Sequence, residues 1–229
     1  MDLLLINIYS SLLSGFFMTG IGFFVFLKNP KTKINFIFLF FCLAVATWLL
    51  ATFMMYRGDT DLERIFWDRI VYLGVVFIPI LMYHFGLVFT GTEKKNKNKL
   101  YLGYFGALVF LILSRTEYFV DNLYKYNWGF HTQAKIFHHL FLVFFFLYVI
   151  LFLIEIYNFL KKKKEEIERR QVQYLFISFV IMNMGAYAFL PAYGININPL
   201  GAYGVEIIAV LILALAILKY HLFEIKVIL

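Results

Sequence analysis

The sequence predicts an all-α polytopic membrane protein, a bundle of seven transmembrane helices, and three observations carry that expectation. Seven mostly apolar stretches take up most of the 229 residues. The chain is 62% hydrophobic and 21% aromatic but only 15% charged, with a mean hydropathy of +0.79; a soluble domain carries about 25% charged residues. Runs such as Ile207–Leu218 are apolar on every face. That suits helices, whose backbone groups are satisfied internally, and not barrel strands, whose polar and apolar residues alternate.

The expected spans are Leu3–Leu27, Ile34–Tyr56, Arg69–Thr90, Leu100–Leu113, Ile136–Leu160, Gln173–Leu190 and Pro199–Tyr220. A bilayer core of about 30 Å needs about 20 helical residues. The fourth and sixth spans are short, and must recruit flanking residues or thin the bilayer locally. Nothing basic precedes Lys28, so the first span lacks the basic start of a cleavable signal peptide. The second holds the single cysteine, Cys42, which excludes an internal disulfide. Before the third, Thr60-Asp-Leu-Glu63 fits a capping box, so that helix starts outside the membrane and dips in past Trp67. Between the fifth and sixth, Glu165 and Glu166 each precede an arginine by four residues, which extends those helices beyond the lipid as solvated turns. The loop 191–201 carries two prolines, two glycines and no charge, and reads as a shaped, re-entrant turn packed on the bundle.

Lysine and arginine distribute unevenly. The loops at 28–33, 94–99 and 161–170, with the tail after Leu218, hold 15; the other side holds 6. Basic loops stay cytoplasmic, so the N-terminus is expected outside and the C-terminus inside. The net charge of +7 then reflects topology and not nucleic-acid binding, although Lys161–Lys164 can also touch anionic membrane lipid.

Ionisable and polar residues at membrane depth are functional candidates. Glu206 sits in the outer third of the seventh span, His84 in the inner half of the third, Glu155 near the inner end of the fifth, and Asn183 in the sixth. His84 and Asn183 also suit plain structural roles. Trp48, Trp67, Trp128 and Tyr193 map to the outer half. Two readings of them stand: an interfacial aromatic belt, or the lining of an outward pocket in which Glu206 fixes a ligand's polar end. The neighbours His138 and His139 point about 100° apart on a helix and do not suit one metal. No metal site, cofactor site, nucleotide loop or nucleophile–base constellation is expected.

Several short motifs then carry a resemblance. Asn35-Phe-Ile-Phe-Leu through Trp48, Phe66-Trp-Asp-Arg-Ile-Val-Tyr-Leu-Gly74 and Pro79 to Phe85 resemble the first half of the seven-transmembrane N-terminal sensor region of bacterial histidine kinases. Trp128-Gly-Phe, Arg170-Gln-Val-Gln-Tyr174, Leu190-Pro-Ala-Tyr-Gly194, Pro199-Leu-Gly201 and Lys219-Tyr-His-Leu-Phe-Glu-Ile225 match its second half. The resemblance implies one sensor domain over 1–229 in the bacterial cytoplasmic membrane. Residues 219–229 would begin a linker to a cytoplasmic effector in cis, a PAS, kinase or cyclic-dinucleotide-synthesising module. It also implies a homodimer and an unknown small-molecule or lipid-like signal, while the lack of nucleophile–base and nucleotide motifs leads to the expectation of no catalysis in this chain. The alternatives are a small membrane enzyme or solute carrier using Glu206 and the outer aromatics, and a structural membrane subunit.

Overall fold

A computed structural model describes residues 3–163 and 165–220; the expected linker beyond Tyr220 lies outside the described residues. Among the described residues, eight α-helices, a two-stranded hairpin and a 3-10 segment follow one another: α1 (Leu3–Lys28), α2 (Lys33–Arg57), α3 (Asp61–Val75), α4 (Ile78–Thr90), α5 (Lys97–Leu113), β1 (Val120–Tyr126), β2 (Gly129–Ala134), α6 (Ile136–Lys162), α7 (Glu166–Met184), the 3-10 segment Gly185–Tyr193 and α8 (Leu200–Tyr220). Among the described residues, five stretches are long and apolar enough to cross a membrane: α1, α2, α3 with α4, α6, and α7 with the 3-10 segment. The helix α5, at 17 residues, is shorter, as its span was expected to be.

The helices α1 and α2 form an antiparallel pair joined by a tight turn. Asn35 holds it, its side-chain amide donating to the Val25 and Asn29 carbonyls at 3.2 and 3.0 Å. The capping box is present at the start of α3. The Glu63 amide donates to the Thr60 hydroxyl at 3.2 Å, and the Glu63 carboxylate reaches back to the Asp59 amide at 3.0 Å. The third expected span is two helices and not one. Pro79 stands in the first turn of α4; it has no N–H for the Val75 carbonyl and its ring crowds that turn, so the ladder breaks at Val76–Phe77. The helix α4 ends on Gly91 in the left-handed region (φ 72°), with the Thr92 amide returning to the Leu87 carbonyl at 2.9 Å, a closing pattern that glycine favours.

The connection after α5 was not expected to hold strands, yet it folds as the antiparallel hairpin β1–β2, with Tyr126 opposite Gly129 across a two-residue turn. Asn122, at φ 59°, is the extra residue of a bulge between Asp121 and Leu123, a conformation asparagine tolerates better than most.

Packing runs from α1 to α2, from α2 to α3 and α4, and from α4 to α6; α8 closes the ring between α1 and α7. The 3-10 segment lies against β2 and α8. The centre is the α3–α4 stretch, 72% buried over its most apolar window, against 33% for α1 and for α6. The outer faces of α1, α5 and α6 show Phe16, Phe23, Phe105, Ile112, Val143 and Ile150 exposed. An apolar band of that extent is what lipid covers.

A buried chamber with two carboxyl groups

A chamber of about 60 Å³ lies among α2, α3, the α7 terminus, the 3-10 segment and α8, beneath the hairpin. On α2, Trp48, Thr52 and Tyr56 recur every four residues, so one stripe of that helix faces it. Asp68 and Tyr72 do the same from α3, Tyr203 and Glu206 from α8, Asn183 from α7, and His131 from the hairpin.

Its polar groups are unequally satisfied. The Tyr56 and Tyr203 hydroxyls share one hydrogen bond of 3.0 Å. Asp68, 3% exposed, accepts the Thr132 hydroxyl. Glu206, 2% exposed, has its Oε2 buried with no hydrogen-bond partner. Room for this carboxyl comes from Gly185, where a Cβ would stand 2.9 Å from Glu206 Oε1. A buried carboxyl without partners is costly in either protonation state, since the acid's own hydroxyl would also need an acceptor.

Of the residues singled out from sequence, Trp48, Glu206 and Asn183 meet at this chamber. Asn183 donates to the Phe179 carbonyl one turn back at 2.7 Å and touches the Met82 sulfur at 3.5 Å, so α4 is its contact outside its own helix. Trp67 stands apart, half-buried and edge-on to Phe66 at 5.5 Å between ring centres. Trp128 closes the hairpin end. It is buried, stacks on Tyr126 at 4.8 Å, donates from its indole to Asn196 Oδ1 at 2.8 Å, and takes the Asn7 amide on its carbonyl at 3.3 Å. Beside it the Tyr126 hydroxyl donates to the Pro191 carbonyl at 2.6 Å; burial, helped by Tyr124, pushes that phenol up. Tyr193 pairs with the buried His138, hydroxyl to Nδ1 at 2.7 Å, while His139 turns to the Lys135 carbonyl.

His84 belongs to a different cluster, at the opposite end of the bundle. Its ring nitrogens lie 2.8 Å from the Tyr104 hydroxyl and 3.3 Å from Glu93 Oε1, and Lys33 Nζ reaches the same Glu93 oxygen at 2.5 Å. Partial burial pushes the Glu93 carboxyl up, but the Lys33 ammonium and the His84 ring outweigh it and hold it below the usual glutamate range. Nearby, Glu155 accepts the Thr90 and Thr92 hydroxyls at 3.0 and 2.7 Å, which ties α6 to the end of α4.

Sequence reasoning missed Asp68. The charged Asp68-Arg69 pair placed the membrane boundary at Arg69, leaving the aspartate outside. The signal was available: a helix capped at Thr60 puts Asp68 two turns in, four residues before Tyr72, on the face that α3 buries.

A family model described as the N-terminal 7TM region of histidine kinase matches residues 10–226. No curated protein matches the chain.

Proposed function

The chain belongs to the N-terminal seven-transmembrane region of histidine kinases, and from that membership we propose that the chamber receives the signal and α8 carries it to the cytoplasmic kinase module. The chain is a multi-pass membrane protein. In this reading it is one seven-span domain, with α3 and α4 forming the third span, α7 and the 3-10 segment the sixth, and α8 the seventh. The observation that carries the proposal is Glu206. It is buried without a partner for Oε2 and lies on the helix that leads toward Lys219–Leu229. A signal that changes its surroundings acts on the output helix directly, and two arrangements of α8 between α1 and α7 would be the two states.

Glu206→Gln, nearly isosteric, is expected to shift the autophosphorylation of the intact kinase in vesicles at least threefold in either direction. Membrane insertion should not change. Wild-type output at every signal level would remove α8 and the chamber from the mechanism.

Orientation follows the charge asymmetry of 15 against 6, which puts the hairpin outside and the loops at 28–33, 94–99 and 161–170 in the cytoplasm of a bacterial cell. A reporter at the C-terminus should be active only in the cytoplasm, and one fused after Lys135 only outside. Finding both on one side would overturn the orientation and one of the seven spans. The catalytic work, in this reading, belongs to the kinase module, which would act as a dimer.

A further inference from the structure

We propose that the chamber binds a small alkylammonium cation, its nitrogen held by Glu206 and its carbon chain against Trp48, Tyr56 and Tyr203. This rests on the chamber's being the signal site and names the chemistry it selects. The first ground is charge. Asp68 and Glu206 share one enclosed space, and among the described residues that line it there is no lysine or arginine. Asp68 has the Thr132 hydroxyl, and Arg69, Arg115 and the lining residue His131 act on it electrostatically. Glu206 has no comparable partner, and its Oε2 has none at all. An anion would bring no hydrogen-bond donor to Oε2, and an apolar guest would leave the carboxyl unmet. An ammonium supplies both a charge and hydrogen-bond donors.

The second ground is the wall. Trp48, Tyr56, Tyr72, Tyr203 and Phe189 line the same space, and aromatic side chains give a guest's carbon chain a large apolar contact area at low entropic cost. A calcium-type ion asks instead for six to eight converging oxygens, and among the described residues no three histidine, cysteine or acidic side chains gather as a metal site. Size sets the chain length. The volume of 60 Å³ corresponds to roughly four to six water-sized groups, an amine with a short carbon chain. Gly185 is part of the fit, since a side chain there would push on the Glu206 carboxyl.

The test uses the purified chain in nanodiscs, followed by thermal unfolding and by tryptophan emission, with n-propylammonium chloride as probe. Controls are 1-propanol, potassium chloride and sodium propionate at equal concentration. Saturable stabilisation of several degrees by propylammonium alone is expected, together with a change in emission from Trp48. In Glu206→Gln the half-saturating concentration should rise at least tenfold, and in Trp48→Leu the emission change should vanish. Stabilisation matched by propanol or by potassium chloride overturns the assignment, as does the absence of saturation or an unaltered response in Glu206→Gln. The kinase assay separates this from the broader reading. If propylammonium does not bind while Glu206→Gln still changes autophosphorylation, the ligand class falls and the sensor reading stands; if neither responds, both fall.

Discussion

Gly74→Ala should lower the melting temperature of the purified chain by about 3–10 °C, the equivalent of overpacking by about 1–3 kcal/mol in a chain of this size. At Gly74 a Cβ would collide with the backbone carbonyl of Ala44 and stand 3.0 Å from the Thr47 Cβ. A backbone carbonyl in the middle of α2 cannot turn aside as a side chain does, so α2 and α3 must move apart. Small residues let helices approach this closely in membranes. The separation would also spread the chamber, because Trp48 and Asp68 face it from those two helices. Gly20→Ala is the matched control: nothing lies within 4 Å of its Cβ position, and alanine is the better helix former by about 0.8–1 kcal/mol. Equal melting temperatures for the two variants would show that the α2–α3 approach is looser than described.

Trp128→Ala is expected to cost about 3–5 kcal/mol, the range for truncating a buried aromatic residue. The indole is 2% exposed. Its loss removes the stack on Tyr126 and leaves Asn196 Oδ1 without its donor. Amide hydrogen exchange should accelerate across 120–134, the hairpin that roofs the chamber. Trp128→Phe should recover much of the packing but not the bond to Asn196. Trp67→Ala, at a half-buried position beside Phe66, should cost less. Wild-type exchange in the Trp128→Ala hairpin would mean that the bulge and the strand pairing hold the roof without the indole.

These contrasts show which features were legible. Helices announce themselves through long apolar runs, so α1, α2 and α6 lie close to their expected limits. The capping box at Thr60 was legible because it is local. The hairpin was not, because Tyr126-Asn-Trp-Gly129 reads as an ordinary polar connection until its strands are seen to pair, and pairing is non-local. The break at Val76–Phe77 was legible in principle from Pro79, but apolar sequence on both sides hid it. The facing of the aromatic residues was not readable from sequence. Trp48, Trp67 and Trp128 share a sequence-derived depth, yet one lines the chamber, one packs on its neighbour Phe66 and one locks the hairpin. Which face a side chain presents depends on helices that meet only after folding. Asp68 was passed over because the expected span began at Arg69, one residue beyond it.

The first helix carries Asn7, Ser11 and Ser14 as a fully buried polar stripe. Two of these groups find their partners only much later in the chain: Asn7 on the Trp128 carbonyl and Ser14 on the carbonyl of Tyr203. A ribosome delivers α1 well before α8. Until the chain has been made past Trp128 and then past Tyr203, therefore, those two polar groups of the first helix lack the partners they hold in the folded bundle. That stripe is met by α8, and the bundle reaches its final form only when α1 and α8 have come together.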